Sequence, residues 1–158
     1  MLNAITTQSP MAKAALPISD RTVFVDMNAV RAARGATTDK VKALVDSGAL
    51  LWVFNIGRSP GESHPRQLRF WLPEVMDAGA VADLSLAAVI DRILPPARKS
   101  FNGSELGQWF MVSKPTVQRL GRQLAGTVQN RLWRVERQAL ATFLSARWIG
   151  ASKMRAKS

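Results

Sequence analysis

MVSKPTVQRL, Met111 to Leu120, begins like a helix cap and continues like a helix that shows cations on its far side. Ser113 stands where an N-cap hydroxyl can accept from a free first-turn N–H, and Pro115 falls in the first turn, where a missing donor costs nothing. If Val117, Leu120 and Leu124 face a core, a turn of about 100° per residue sends Pro115, Gln118, Arg119 and Arg122 outward, with Lys114 and Thr116 flanking. That outward set contains basic donors and no acid.

The neighbouring segments give this helix its setting. NGSELGQWF, Asn102 to Phe110, has a helical rhythm and ends only a few residues earlier. GTVQNRLWRV, Gly126 to Val135, reads as a short hairpin: Thr127 and Val128, a turn at Gln129 and Asn130, then a return through Leu132 to Val135. VERQALATFLSARW then sets Leu140, Phe143, Leu144 and Trp148 at steps of three and four, a closing amphipathic helix with Arg137 and Arg147 near its margins. Helix, tight turn, helix, hairpin, helix is the order of a winged helix-turn-helix.

The first half repeats this order more weakly. At an offset of 76, Val30 falls on Leu106, Thr37 on Ser113, Val41 on Val117 and Leu44 on Leu120. SGALLWVFNIG, GRSPGESHPRQ and LRFWLPEV then match the hairpin and closing helix at an offset of 65, which places a turn longer by about 11 residues in the first unit. Between the units, LSLAAVIDRIL carries Leu86, Val89, Ile90 and Ile93 on one stripe and stops at Pro95 and Pro96. The fold class expected is mainly α with small β-hairpin wings, as tandem winged helix-turn-helix units joined by a helix. Its parts are a flexible arm at 1–20, a degenerate unit at 21–80, the linking helix at 81–98, the second unit at 99–149 and a basic tail at 150–158.

Charge separates the two units. The 158 residues carry a formal net charge of +11, and 47% of them are hydrophobic, enough for a folded core. From Met1 to Pro96 there are ten Lys or Arg against nine Asp or Glu; from Ala97 to Ser158 there are twelve against two. A polyanion site therefore belongs to the second half. On the first unit's equivalent helix the exposed face would hold Asp39, Lys42, Ala43 and Asp46, whose carboxylates repel phosphate. Trp52, Phe54, Phe70 and Trp71 are expected to form that unit's small core or to serve a partner protein.

Several chemistries lose their residues. There is no Cys and no Tyr, and the one His, His64, sits in a Gly-, Ser- and Pro-containing loop, so a thiolate metal site and a tyrosine nucleophile are excluded. No paired carboxylates, Ser-His arrangement or Gly-rich phosphate loop can be assembled, and neither an enzyme nor a cofactor is expected. No apolar run approaches the roughly 18 residues of a membrane span, and the N-terminus lacks a secretory pattern. A cytoplasmic protein is expected.

SELGQWFMVSKPTVQRL followed by RLWRVERQALATFL resembles the excisionase-type, MerR-like winged helix-turn-helix family of bacterial and phage DNA-binding proteins. The shared pattern is a hydroxyl-capped recognition helix, a wing ending in W-R-V and a helix ending in L-x-x-F-L. It covers Asn102 to Arg147, and RQLAGTVQN is shorter and less basic than the family's usual strand. The resemblance implies a transcriptional regulator or an excisionase-like accessory factor of a mobile element, bound to double-stranded DNA.

The residues expected to touch DNA are Ser113, Lys114, Thr116, Gln118, Arg119 and Arg122 on the helix, and Asn130, Arg131 and Arg134 in the wing. Arginine offers a fork to guanine, glutamine pairs with adenine, and wing residues reach backbone or minor groove. Specificity from so small a unit would need a homodimer, repeated sites or a partner protein, through the first unit or the linking helix. Three other readings stay open: an adaptor whose first unit binds a protein and whose basic half holds nucleic acid without sequence preference, an RNA-binding protein, and a basic helix face that is merely solvated.

Overall fold

Two N-caps, Asp26 and Asn102, start the halves of the chain in the same way, 76 positions apart. The computed structural model describes residues 22–61 and 64–150. The expected arm at 1–20 and the tail beyond Gly150 lie outside them. A short strand β1 (Phe24–Val25) leads to Asp26, whose side chain accepts from Ala29 N at 2.9 Å and starts α1 (Met27–Arg34). Thr37 accepts from Lys40 N at 3.2 Å and starts α2 (Thr38–Asp46). The strands β2 (Val53–Asn55) and β3 (Leu68–Trp71) follow, and Pro73 opens the short α3 (Leu72–Met76).

After α4 (Leu86–Ile93), capped by Ser85, the order repeats. Strand β4 (Ser100–Asn102) runs into a capping box in which Asn102 and Glu105 satisfy each other's backbone N–H, and α5 (Gly103–Trp109) begins. Then come α6 (Lys114–Gln123), β5 (Thr127–Gln129), β6 (Leu132–Glu136) and α7 (Arg137–Arg147). Among the described residues the architecture is mixed α/β: seven α-helices and two small antiparallel three-stranded sheets.

Each sheet is built to one plan, with the strand before the closing helix in the middle: β1-β3-β2 and β4-β6-β5. The leading strands β1 and β4, only two and three residues long, are too short to leave a period in the sequence. Val25 stands opposite Phe70, and Phe101 opposite Val135, so one ladder contains both offsets, 76 on one strand and 65 on the other. Phe54 opposite Arg69 answers to Thr127 opposite Arg134, an offset of 73 for the remaining strand. The first unit's extra residues are thus divided: three lie between α2 and β2, and eight in the β2–β3 turn. The sequence had put all 11 in the turn.

The second unit's hairpin also turns one residue later than expected. Gln129 pairs with Leu132, and the two turn residues are Asn130 and Arg131, with φ of 52° and 66°. Two left-handed residues in a row make the primed turn that suits the twist of a two-residue hairpin.

The cores of the two units are not separate. Phe24 of β1 meets Phe54 of β2 at 5.4 Å and Phe110, just past α5, at 5.0 Å, both edge to face, and Trp52 stacks on Trp148 at 5.0 Å. One cluster includes Phe24, Trp52, Phe54 and Trp71 with Phe101, Leu106, Leu120, Val135, Leu140 and Leu144, and α4 adds Val89, Ile90 and Ile93 to it. Each large side chain so buried contributes about 1.5–3 kcal/mol. A smaller cluster around Val30, Val41 and Phe70 stays within the first unit, and Met111 and Ile149 pack on it from the second. Backbone joins follow: Val23 N donates to Trp109 O at 3.0 Å, and Ile149 N to Val53 O at 2.9 Å.

Candidate functional site

Two contacts seat α6. Gly121 lies flat against the Trp133 ring, where a Cβ would collide with it, and Val117 approaches Gly103 of α5. The turn before α6 places Met111 at φ 52°, in the position that Gly35 holds at φ 57° in the first unit. Ser113 has the extended backbone of an N-cap but makes no cap bond from its side chain. Its hydroxyl meets the Thr116 hydroxyl at 3.1 Å instead. Pro115 removes one of the two N–H groups a cap could satisfy, and the Thr116 hydroxyl competes for the other role.

Lys114, Gln118 and Arg122 form an exposed stripe at steps of four along α6, without side-chain partners among the described residues. Lys114 and Gln118 meet Arg131 of the hairpin turn across a groove of about 330 Å³, floored by Gly103, Val117 and Trp133. Among the described residues no carboxylate lines it. Asn130 is exposed at the tip beside Arg131. The structure thus gathers Lys114, Gln118, Asn130, Arg131 and, farther along the helix, Arg122. Trp133 is half-buried against α6.

Two expected contacts point elsewhere. Arg119 does not project with Arg122: one guanidinium nitrogen donates to Ile56 O at 2.7 Å and another to Gln123 Oε1 at 3.0 Å. A helical projection tells the direction of a side chain but not what covers it, and here the first unit's turn covers that flank. Arg134 lies inside the sheet, not at the wing tip. It donates to Ser100 Oγ on neighbouring β4 at 2.7 Å.

Arg119 belongs to a group of arginines that act on carbonyls. Arg147 sits on the apolar stripe of α7, one turn beyond Phe143 and Leu144, and donates to the carbonyls of Asn55, Gly57 and Arg58. Arg69, within the buried strand LRFW, donates across the units to Phe110 O and Met111 O. Burial holds all three guanidinium groups below their ordinary range, with Arg58 and Arg147 adding to the effect at Arg119 and Asp26 opposing it at Arg69. Their positions held the signal: an arginine at a buried strand position or on an apolar helix stripe must find acceptors inside the fold.

Other cations of the second half are also spoken for. Arg98 pairs with Glu105 at 2.7 Å, which holds its guanidinium above the ordinary range, and Arg137 pairs with Asp91 at 2.8 Å. The cations left without partners in the described part of that half are Lys99, Lys114, Arg122 and Arg131. Three of these four lie at the groove or on the α6 stripe.

No family model, curated protein or solved structure matches the chain. Among the described residues there is no group of His, Asp or Glu placed to hold a metal ion, and no helix long and apolar enough to cross a membrane. In the first unit the positions that answer to Lys114, Gln118 and Arg122 are Thr38, Lys42 and Asp46 on α2, and the exposed face there includes Asp39 and Ala43 beside Lys42 and Asp46.

Proposed function

We propose that the chain is a sequence-specific double-stranded DNA-binding protein built from two winged helix-turn-helix units, the second of which reads the duplex. The observation that carries this is the stripe of Lys114, Gln118 and Arg122, without side-chain partners among the described residues, beside Arg131 around a groove that no described carboxylate lines. In this reading α6 enters the major groove, where Arg122 and Gln118 offer bidentate contacts to guanine and adenine, each contributing on the order of 1–3 kcal/mol of discrimination. Asn130 and Arg131 meet the backbone or minor groove, and Lys114 at the helix start meets a phosphate. The acidic face of α2 keeps the first unit's helix out of the same role.

The resemblance supports, within this proposal, a transcriptional regulator or an excisionase-like accessory factor that recruits a recombinase, in a cytoplasmic protein that is bacterial or phage-encoded. Selection from a random duplex pool tests the reading. A defined motif is expected, with specific binding roughly 10³-fold or more tighter than to unrelated DNA. Arg122→Ala should relax the motif at one position. A pool that enriches no motif would instead favour the adaptor with non-specific nucleic-acid binding.

A further inference from the structure

Helix α6 stands between two turns. On one side Lys114, Val117 and Gln118 face Arg131 and Trp133 of its own hairpin. On the other, Arg119 donates to Ile56 O at 2.7 Å and Gln123 Nε2 to Arg58 O at 3.5 Å, both in the long β2–β3 turn of the first unit. At about 100° per residue these two sides are roughly half a turn apart, and Pro115 and Arg122 project between them.

The long turn is braced at its neck. Asn55 Oδ1 accepts from Gly57 N at 2.8 Å, and Arg147 donates to the carbonyls of Asn55, Gly57 and Arg58 at 3.1, 2.6 and 3.2 Å. Arg58 itself is exposed, and its guanidinium has no partner among the described residues. Arg58 and Arg147 lie near enough to act on the charge of Arg119, so three guanidinium groups gather around one stretch of backbone, and among the described residues none of them bonds to a carboxylate. Glu62 belongs to the same turn and lies outside the described residues. Mutual repulsion in such a cluster is relieved by an anion, and guanidinium is the cation that best matches a phosphate's oxygens.

We infer that the β2–β3 turn of the first unit serves as a second flank for α6, and that Arg58 holds a backbone phosphate of the duplex that α6 enters. The inference rests on α6 being the DNA-contacting helix. It gives the first unit a part in binding that does not use its acidic helix. The eight added residues are what carry the turn to the partner unit's helix. Arg131 and Arg58 then touch the DNA on either side of Arg122, and Arg58 positions the protein without reading sequence.

The test uses the full chain and a labelled duplex of mixed sequence, titrated over a range of salt concentrations. Loss of one phosphate contact lowers the slope of log affinity against log salt by about 0.9, and affinity near 50 mM salt by about tenfold. Arg58→Ala should show both changes, Arg58→Lys should keep the wild-type slope, and both should melt at the wild-type temperature. A wild-type slope in Arg58→Ala, or an equal loss in the lysine variant, overturns the role of Arg58. Failure of the wild type to bind any duplex at low salt is a different result and overturns the reading of α6 itself.

Discussion

Replacing Arg69 with methionine removes a guanidinium and keeps most of the stem that carries it. Arg69 rises from the middle of β3 and is 8% exposed. It donates to Phe110 O at 2.8 Å and Met111 O at 3.1 Å in the α5–α6 turn, and to the carbonyls of Arg66 and Leu68 at 2.8 and 2.9 Å in its own unit. A hydrogen bond from a charged donor is worth about 1.5–3 kcal/mol, and acceptors left bare in the interior add to the loss. Against this, removing an ion from a buried setting recovers several kcal/mol of desolvation. The net expectation for Arg69→Met is a loss of about 2–4 kcal/mol, from these opposed contributions. In a chain of this size that lowers the Tm by roughly 5–15 °C. Urea unfolding followed by tryptophan fluorescence and by far-UV circular dichroism measures it, and both signals should move together because the units share a core. A loss under about 0.5 kcal/mol, the size of an ordinary surface substitution, would refute the idea that Arg69 braces the other unit's turn.

Two further outcomes are expected. Arg131→Gly relieves a left-handed arginine in the hairpin turn and should raise stability by about 1 kcal/mol while weakening DNA binding; a thermal melt paired with a binding titration checks it, and a destabilised variant would contradict the turn geometry. Glu74 is buried, and its carboxylate accepts from Leu51 N at 2.9 Å and Trp52 N at 2.8 Å. Burial nevertheless raises its pKa, with the two N–H groups and Arg34 pulling it back. A raised folded-state pKa means stability that is present below the unfolded value of about 4.3 and is lost as pH rises through the folded value. The stability gap between wild type and Glu74→Gln should therefore narrow from about pH 4 to pH 7; a gap that widens would reverse the sign of the shift.

Much of the second unit was readable because its signals are local. Val117 and Leu120 stand one helical step apart on α6 and Leu106 sits on α5, and all three are buried. Thr37 and Ser113 mark two helix starts 76 positions apart, and the register of Val25 with Phe70 and Phe101 with Val135 answers to the offsets of 76 and 65. What covers a face is not local. Phe54 could be assigned to a core, but Phe24, which packs on it and also meets the other unit's Phe110, finds its place only through tertiary packing. The same limit misplaced Arg119, whose helical angle says nothing of the turn that meets it. Arg147 was readable in principle, since its spacing from Leu140 and Leu144 puts a cation on an apolar stripe. Its charge drew it to the margin instead.

The arginines that join the units are bonded to carbonyl dipoles, not to carboxylates, and this difference governs how ionic strength acts on the protein. Salt weakens interactions between charges separated by something like a Debye length, about 10 Å at 0.1 M. Guanidinium-to-carbonyl contacts of 2.6–3.2 Å, formed by Arg147 inside the fold, leave no room for an intervening ion. A phosphate held by exposed Arg58, Lys114 or Arg131 competes openly with dissolved anions. Concentrated salt should therefore release a bound duplex while leaving the two halves of the protein locked together.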